Sequence, residues 1–500
     1  MATWLVARGN KRIAFIGNVR YIRNTDAKKR MTARKEEKVK KYIGDKRFYR
    51  MVLAVVVPIM IQNGITNFVS LLDNIMVGQV GTEQMSGVAI ANQLIFVFNL
   101  CIFGAVSGAG IFGAQFYGSG DHEGVRDTLR FKLVISVLLF LCAALIFTGA
   151  GEQLIRLYLS GESESVDPEK TLAYGMAYLR IMIPGLLPFA LVQSYAGTLR
   201  ETGETMLPMK AGIVSVLVNL MLNYLLIFGK FGCPKLGAEG AAVATVTARF
   251  VEVAIVISWT HRHTKENLFA HGLYRNFHIP VHLAGQILRK GTPLMLNETL
   301  WSLGMAALMQ CYSVRGLSVV AAMNISSTIS NLFSIVFMAM GNAVAIIVGQ
   351  LLGAGKMEEA KDTDVKLIFF SVVSCAVVGV GMAVFAPFFP RLYNTEPAIR
   401  EMARDFIWVA AILMPMNAFV NASYFTLRSG GKTVITFFFD CGYVWVVSIP
   451  LAYCLSRFTD LPIQPLYFIC QGADILKCVV GYILVKKGVW IEKLVDHSMA

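Results

Sequence analysis

The sequence predicts an all-α membrane protein of about twelve transmembrane helices, arranged in two six-helix bundles that are related by a parallel internal repeat. The first observation is composition, since 55% of the 500 residues are hydrophobic, 16% are charged and the mean hydropathy is +0.58. A soluble chain of this length would need more charge to cover its surface. The second observation is a set of long apolar runs, and the third is the repeat itself.

The apolar runs are long enough to cross a bilayer. The run from Met51 to Leu72 contains no charged residue, and the next residue is Asp73. About twenty helical residues span a hydrocarbon core of about 30 Å. Further runs begin near positions 86, 131, 171, 206, 238, 291, 317, 366, 406, 433 and 463. Barrel strands are shorter and alternate in polarity, so these runs predict helices.

The two halves of the chain repeat one pattern. Pro58 and Pro293 occupy matching places in similar apolar segments, 235 residues apart, and Gln115-Phe-Tyr-Gly118 returns at the same spacing as Gln350-Leu-Leu-Gly353. The triplet Thr-Leu-Arg at position 198 returns at position 426, a spacing of 228. A duplicated and strongly apolar chain is typical of secondary transporters, whose halves can rock about a site between them.

The distribution of charge predicts the orientation in the membrane. Residues 1–50 hold 16 Lys and Arg against 4 Asp and Glu, within a net charge of +14, and the loop 151–170 is acidic. By the positive-inside rule, both termini are cytoplasmic and the helix count is even, in a plasma or inner membrane. A nucleic-acid-binding tail is the alternative explanation of the basic segment.

The predicted domains follow these loops. They are a basic cytoplasmic segment at 1–47, an N-lobe (TM1–TM6) at 48–264, a cytoplasmic linker at 265–283, a C-lobe (TM7–TM12) at 284–488 and a cytoplasmic tail at 489–500. Met31 is a second plausible start, so we expect residues 1–30 to be a start-site artefact or a floppy tail. An intact mass that includes Met1 would exclude the artefact.

Several function classes are disfavoured. The nine Cys are scattered, without a Cys-x-x-Cys, and the seven His fall in loops, at helix edges or in the tail. This argues against disulfides, an intramembrane metal site and a histidine proton relay. Phosphate-loop and hydrolase motifs are missing from the sequence, so we expect neither an enzyme nor a cofactor, and an ion gradient or a partner must supply the energy.

Two carboxylates occupy places where a charge is costly, by about 2.5–3.5 kcal/mol on insertion scales. Glu298 lies eight residues after Lys290, which is about 12 Å along a helix, and its counterpart in the first half is Asn63. A neutral, hydrogen-bonded Glu298 is the alternative to a protonatable or cation-binding one. Asp73 is expected toward the outer side, where an exposed helix end is equally compatible with its position.

Further charges and amides lie inside the apolar runs. Arg249 and Glu252, like Asp474 and Lys477, are three residues apart and share a helical face. We expect structural pairs there, with gating as the alternative. Amides such as Asn297 can simply join helices. Together with 23 Met and 32 Phe, they also suit an adaptable cavity for lipophilic cations.

Five segments, in this order, resemble the multidrug and toxic compound extrusion (MATE) family. They are Asp73-Asn-Ile-Met-Val-Gly-Gln-Val-Gly81, Gln115-Phe-Tyr-Gly-Ser-Gly120, Thr198-Leu-Arg-Glu-Thr-Gly203, Asn219-Leu-Met-Leu-Asn-Tyr-Leu-Leu-Ile-Phe-Gly229 and Gln350-Leu-Leu-Gly-Ala-Gly355. The likeness covers about residues 45–490. It implies two six-helix bundles that face each other in a V, and cation efflux coupled to entry of H⁺ or Na⁺.

Residue by residue, the resemblance assigns the site. Asp73 matches the acidic residue of the first helix, with Asn219 as its partner on the fifth helix, and Asn223 stands where many relatives have a second Asp. Glu298 matches the acidic residue of the seventh helix, and Asn417 stands where relatives of that type have an Asp on the tenth helix. Each lobe thus keeps one carboxylate and loses one.

The coupling ion therefore stays open between H⁺ and Na⁺. A lone carboxylate suits H⁺, whereas Na⁺ near Asp73 and Asn219 would need further oxygens, which the Asn side chains and Thr245 or Thr247 can supply. We expect an antiporter that exports organic cations or other amphipathic compounds by alternating access. Its partners are that substrate and the lipid bilayer, without nucleic acid, and the resemblance suggests a monomer.

Three other functions are compatible with parts of the sequence. A lipid-linked oligosaccharide flippase of a related fold would need cationic groups in its cavity, whereas the deep Arg and Lys are expected to be paired. A major facilitator transporter would carry Asp-Arg-x-Gly-Arg where Gly118-Ser-Gly-Asp-His-Glu stands. A membrane receptor would bind a ligand without uphill flux.

Overall fold

The computed structural model describes residues 42–159, 167–393 and 395–495, and all the regular structure of these residues is helical. The basic segment 1–41, the acidic Glu162 and Glu164, and the last residues of the tail lie outside the described residues. Residues 42–50 contain the start of the first helix, where Asp45 Oδ1 accepts a hydrogen bond from the Phe48 N–H at 2.7 Å.

The described residues up to position 262 form six long helices and one short one. In chain order they are α1 (Lys46–Gly78), α2 (Thr82–Ser119), α3 (His122–Gly149), the short α4 (Gly151–Leu159), α5 (Pro168–Glu201), α6 (Met206–Phe228) and α7 (Ala238–Arg262). A 3₁₀ turn (Leu268–Ala270) lies in the link that follows α7.

The second half repeats the six long helices with interruptions. They are α8 (Val281–Ser313), α9 (Leu317–Gly353), α10 (Met357–Phe385), α11 (Pro397–Ser429), a helix built from α12 (Thr433–Phe437), two π-helical turns (Phe438–Gly442 and Val444–Ser448) and α13 (Ile449–Phe458), and a last one built from α14 (Ile463–Gly472) and α15 (Ile475–Lys487). A 3₁₀ turn (Phe389–Leu392) precedes α11.

Eleven helical stretches of the described residues are long and apolar enough to cross a membrane. The remaining long helix is α8, whose 33 residues also exceed the length of a membrane span. Asn297 and Glu298 lie near its middle and lower its hydropathy. The predicted fold, with about twelve helices in two six-helix bundles, is confirmed.

Helix caps explain part of the repeated motif. Gly120 ends α2 in the left-handed conformation, at φ 81°, and the next residue, Asp121, caps α3 by accepting a hydrogen bond from the Gly124 N–H at 2.9 Å. Asp167 caps α5 in the same way, and the hydrogen bond from the Lys170 N–H lowers the pKa of this exposed carboxyl.

The links between helices alternate between two ends of the bundle. We call one the tail end, because it carries the segment 488–495 together with the links α2–α3, α5–α6, α7–α8, α9–α10 and α11–α12. The other, the far end, carries the links α1–α2, α6–α7, α8–α9, α10–α11 and α13–α14. The predicted linker 265–283 packs at the tail end, where Arg130 donates hydrogen bonds to the carbonyls of Leu273 and Gly272 at 3.0 and 3.1 Å.

The two lobes meet at the tail end through the repeated Gln-x-x-Gly motif. A Cβ on Gly118 would overlap the Gln350 carbonyl of α9, and a Cβ on Gly353 would overlap the Gln115 carbonyl of α2. Each half of the repeat thus places its glycine against the glutamine of the other half. Only residues without a side chain allow two helices to approach this closely.

The segment 488–495 seals the same junction. Gln115 is fully buried, and its Nε2 donates hydrogen bonds to the carbonyls of Ser429 and Glu492 at 3.1 and 3.3 Å, while its Oε1 accepts from the Leu494 N–H at 2.8 Å. Trp490 of this segment is 1% exposed. One glutamine of the first lobe therefore holds both the end of α11 and the C-terminal segment.

Candidate functional site

The first polar cluster lies in the N-lobe toward the far end, and we call Asp73, Asn219, Asn223 and Thr245 the Asp73 cluster. Asn223 Nδ2 donates a hydrogen bond to Asp73 Oδ1 at 2.6 Å. With its amide nitrogen turned toward the carboxylate, Asn219 donates to both Asp73 oxygens at 3.1 and 3.2 Å and accepts from Thr245 Oγ1 at 3.1 Å. In the other orientation its oxygen accepts from Asn223 Nδ2 at 3.1 Å.

Three helices bring this cluster together. Asn219 and Asn223 are one turn apart on α6 and therefore share a face, while α1 supplies Asp73 and α7 supplies Thr245. Asn219 and Asn223 are 7% and 1% exposed, and the side-chain oxygen Oδ1 of Asn223 is buried without a partner among the described residues. Asp73 is in no Lys or Arg ion pair of those residues, which makes it a candidate for exchange of a proton or a small cation.

Two predicted members lie apart from the Asp73 cluster. The Thr247 hydroxyl is exposed and donates to the Val243 carbonyl of its own helix at 2.8 Å, because a residue two positions after Thr245 faces another side of the helix. Asn63 lies ten residues before Asp73 on α1, about 15 Å along the axis. Among the described residues, neither side chain hydrogen-bonds to a member of the Asp73 cluster, and the assignment of Asn63 and Thr247 to the ion or substrate site stays a prediction.

The second polar cluster lies in the C-lobe, and we call Asn297, Glu298, Tyr424, Asp440 and Lys477 the Glu298 cluster. Asn297 Nδ2 donates hydrogen bonds to Asp440 Oδ2 at 3.2 Å and to Tyr424 Oη at 3.4 Å. Tyr424 in turn donates to Glu298 Oε1 at 3.4 Å, and Lys477 Nζ lies 2.6 Å from Asp440 Oδ1. Four helices therefore contribute side chains to the Glu298 cluster.

An interrupted helix presents Asp440 to this cluster. Asp440 lies in the first of two π-helical turns, and Pro450 follows the second turn, where its missing N–H and its ring disturb the preceding turn. Asn297 Oδ1 accepts a hydrogen bond from the Cys441 N–H at 3.3 Å. The Asn297 amide thus binds the backbone and a side chain of the widened turn together, which fixes Asp440 beside Lys477.

The predicted close pair of Asp474 and Lys477 is replaced by another one, although Asp474 still attracts Lys477 electrostatically. Lys477 is 6% exposed and pairs with Asp440 instead, because Asp474 lies at the break between α14 and α15 and a carboxylate on a facing helix is better placed.

The predicted pair of Arg249 and Glu252 is also absent from the ion pairs of the described residues. The Arg249 guanidinium donates to the Gly185 carbonyl at 3.1 Å and lies 5.0 Å from the centre of the Phe189 ring. Its head group therefore extends to α5 rather than along its own helix.

The C-lobe site differs from the predicted one at two residues, Asn417 and Asp440. No side-chain hydrogen bond joins Asn417 to another described residue, and the partner that α11 supplies is Tyr424, seven residues later. Asp440 was missed, although a single carboxylate between Phe439 and Cys441 in an apolar run was a usable signal. Comparison of the two halves did not point to Asp440, because the first half has no matching carboxylate.

We expect Asp440→Asn to lower the free energy of unfolding by about 1–3 kcal/mol, because it leaves a buried, hydrogen-bonded charge without its carboxylate. The loss is limited because Lys477 Nζ keeps the rings of Phe439 and Tyr443 at 5.6 and 5.7 Å. Thermal unfolding in detergent measures this, with Asp474→Asn as the control. Equal effects of the two variants would show that Lys477 depends on both carboxylates.

A cavity of about 120 Å³ lies between the lobes. Residues of α2, α5, α9 and α11 line it; its polar lining residues are Ser107, Gln193, Arg200, Glu201, Asn342, Arg428 and Ser429, and its apolar ones include Phe103, Val106, Ile111, Ile346 and Phe425. Arg200 and Arg428 end the two copies of the repeated Thr-Leu-Arg triplet. The structure places them on the last turns of α5 and α11, facing this cavity.

A buried ion pair lies next to the cavity. Lys132 Nζ lies 2.7 and 2.6 Å from the two Glu201 carboxylate oxygens and donates to Thr198 Oγ1 at 3.0 Å. Lys132 is fully buried and Glu201 is 9% exposed. The pair neutralises Glu201, and Gln350 Nε2 of the other lobe donates to the Glu201 carbonyl at 2.7 Å.

A family model described as MatE matches this chain twice, at residues 58–225 and 293–454. The two matches start 235 residues apart, the same spacing as the repeat in the sequence.

Relatives and solved structures agree with this match. The probable multidrug resistance protein NorM of Thermotoga maritima is 23% identical over 448 residues, which are 89% of this chain and 93% of that protein. The multidrug resistance protein MdtK of Yersinia pseudotuberculosis is 26% identical over 421 residues, 81% of this chain and 87% of that protein.

Among solved structures, the outward-facing conformation of a multidrug resistance MATE family transporter of the MOP superfamily superposes with a TM-score of 0.80 at 19% identity, over 90% of this chain and 97% of that one. This likeness concerns the fold. Since the two segments matched by the family model cover more than half of the sequence, the chain belongs to the MatE family, the multidrug and toxic compound extrusion efflux transporters.

Proposed function

We propose that the protein is an antiporter that exports organic cations and other amphipathic compounds in exchange for H⁺ or Na⁺. The observation that carries this proposal is one half-buried carboxylate in a polar cluster of each lobe, Asp73 and Glu298, with a cavity between the lobes. The relatives are named as multidrug resistance proteins, which agrees with such cargo. We further propose that the protein is not an enzyme, uses no cofactor and works as a monomer.

The closed tail end supports alternating access. Gly118 and Gly353 pack against the opposite lobe there, and the Gln115 hydrogen bonds join α2 to α11 and to the segment 488–495. Breaking these contacts would open the cavity to the tail side. We propose that the tail end is cytoplasmic, because the basic links lie there, and that the described conformation faces outward across the plasma or inner membrane.

The chemistry of the Asp73 cluster bears on the coupling ion. The Asn223 amide donates its N–H to the Asp73 carboxylate, which stabilises the charged form of Asp73. An N–H group cannot itself bind a metal ion, so Na⁺ would need other oxygen atoms nearby. The unpartnered Asn223 oxygen and the Thr245 hydroxyl are oxygens that Na⁺ could use. A proton needs only the Asp73 carboxylate itself. In either case, ion and cationic substrate compete for the same negative charge.

Ethidium movement in proteoliposomes tests the proposal. An imposed pH gradient, and separately an imposed Na⁺ gradient, should drive uphill ethidium flux in the wild type, and the gradient that works identifies the coupling ion. We expect Asp73→Asn or Glu298→Gln to reduce this flux at least tenfold, because the substituted amide can neither release a proton nor attract a cation. Undiminished coupled flux in both variants would refute the assignment.

Two controls make the result specific. Glu358→Gln and Asp362→Asn remove exposed carboxylates of α10, at the tail end, and we expect both variants to keep the wild-type flux. Passive ethidium binding without uphill flux under either gradient would favour a receptor over an antiporter.

A further inference from the structure

We infer that the tail end of the central cavity is an anion site built around Arg428, which binds the carboxylate or phosphate group of an amphipathic substrate. The inference rests on the proposed function, in which this cavity lies on the substrate path. If this inference is correct, the protein accepts organic anions as well as the organic cations that Asp73 and Glu298 would attract.

Arg428 is held in place without a carboxylate partner. It is 7% exposed and lines the cavity, with its guanidinium 5.8 and 5.3 Å from the ring centres of Phe103 and Phe425. It appears in no ion pair within 4.0 Å in the described ranges. Two aromatic faces orient the planar group, and no carboxylate of the described residues occupies its N–H fork, which matches carboxylate and phosphate oxygens.

The charged groups that line the cavity around Arg428 are two arginines and one glutamate, whereas Glu298, which attracts Arg428, and Glu252, which attracts Arg200, are not lining residues. Glu201 is paired with Lys132. The second lining arginine, Arg200, donates to the neutral Gln62 at 2.8 Å, and its Nε is buried without a partner among the described residues. Glu298 attracts Arg428 electrostatically, and the Tyr424 hydroxyl is within its reach.

Two guanidinium groups therefore face the cavity, while the single lining carboxylate already binds a lysine. Leaving a net positive charge in a protein interior is costly unless an anion accompanies it.

The rest of the lining selects an amphipathic anion over an inorganic ion. Val106, Ile111 and Ile346 form apolar walls, which gain contact only from a ligand with a hydrophobic body. Gln193 and Asn342 add neutral hydrogen-bonding groups to the lining. An aromatic carboxylate combines the two properties, and so does the headgroup of an anionic lipid.

Equilibrium binding of radiolabelled benzoate to the purified protein in nanodiscs tests this inference, with unlabelled benzamide as a neutral competitor of the same shape. We expect wild type to bind benzoate and benzamide to compete at least tenfold more weakly than unlabelled benzoate. Arg428→Gln should weaken benzoate binding at least tenfold, and Arg428→Lys should recover part of it. Arg404→Gln is the matched control, because Arg404 lies on the same helix, at its other end, in exposed pairs with Glu401 and Asp405.

The outcomes separate this inference from the proposed antiport. Equal benzoate affinity in wild type and Arg428→Gln would overturn the anion site, and so would a wild type that binds ethidium but no benzoate. A far-ultraviolet circular dichroism spectrum and a gel-filtration profile that match wild type show that Arg428→Gln is folded. Because binding is measured at equilibrium, a failure of ion-driven ethidium flux refutes the antiport and leaves the benzoate result interpretable.

Nanodisc composition distinguishes the two sources of the anion. If phosphatidylglycerol displaces benzoate, relative to pure phosphatidylcholine nanodiscs, the site accepts a lipid headgroup. If the benzoate affinity is the same in both, the ligand is a soluble organic anion. Both results support an anion site at Arg428, provided that Arg428→Gln removes the binding.

Discussion

Lys132→Met is expected to lower the free energy of unfolding by about 3–5 kcal/mol, the range measured when one partner of a buried ion pair is removed. Methionine fills nearly the same volume, so the change leaves little cavity. It leaves the Glu201 carboxylate without the ammonium that now touches both of its oxygens. Thermal unfolding in detergent, followed by circular dichroism, measures the loss.

Close helix packing holds the Glu201 carboxylate against α2. A Cβ on Gly110 of α2 would lie 2.6 Å from Glu201 Oε1, so α2 covers the carboxylate closely. The double variant Lys132→Met with Glu201→Gln removes the uncompensated charge, and we expect it to regain most of the lost stability, because a neutral pair needs no counter-ion.

An exposed lysine pair serves as the control. Lys366 pairs with Asp362 on the surface of α10, where the side chains are 19% and 53% exposed, and we expect Lys366→Met to cost less than about 1 kcal/mol. If the Lys132 variant were as stable as the Lys366 variant, or if the double variant were no better than the single one, the pair would not neutralise Glu201 in the folded protein.

The features that could be predicted from the sequence depend on patterns along the chain. Apolar runs predict the spans because span length is fixed by the bilayer, and the spacing of 235 residues between Pro58 and Pro293 predicts the two lobes. The approach of Asn219 and Asn223 to Asp73 followed from the family resemblance, and the structure brings these three side chains together. The proposed ion-binding role of these residues stays a prediction.

The features that could not be predicted depend on which helix faces which. A spacing of three residues placed Asp474 beside Lys477 on one helix, but the buried ammonium pairs with Asp440 across the bundle. Lys132 and Glu201 are 69 residues apart, and no repeated motif of the sequence contains both. In a protein interior, the ion pair that a long charged side chain forms depends on which carboxylates the neighbouring helices bring close to it. Spacing along one helix does not contain that information.

Gly118→Ala is expected to open the tail end of the protein. Its methyl group would overlap the Gln350 carbonyl, and helix backbone, unlike a flexible side chain, cannot move aside alone. We expect a loss of about 1–3 kcal/mol, as for overpacked cores, and Gly353→Ala should have the same effect through the Gln115 carbonyl. The expected consequence is a smaller population of the conformation in which α2 and α9 touch.

Hydrogen exchange at the Leu494 amide reports this population, because that N–H is bound to Gln115 Oε1 at 2.8 Å. We expect faster exchange over 488–495 in either variant, since a displaced α2 removes the acceptor. The control is Gly149→Ala, because Gly149 ends α3 and a methyl group added there would meet no atom within 4 Å. In the middle of a helix, glycine to alanine stabilises by about 0.5–1 kcal/mol, and we expect a smaller gain at Gly149, the last residue of α3. The predicted effects on stability therefore have opposite signs, and a Gly118→Ala variant that gained stability like the control would show that the lobes do not meet at this glycine.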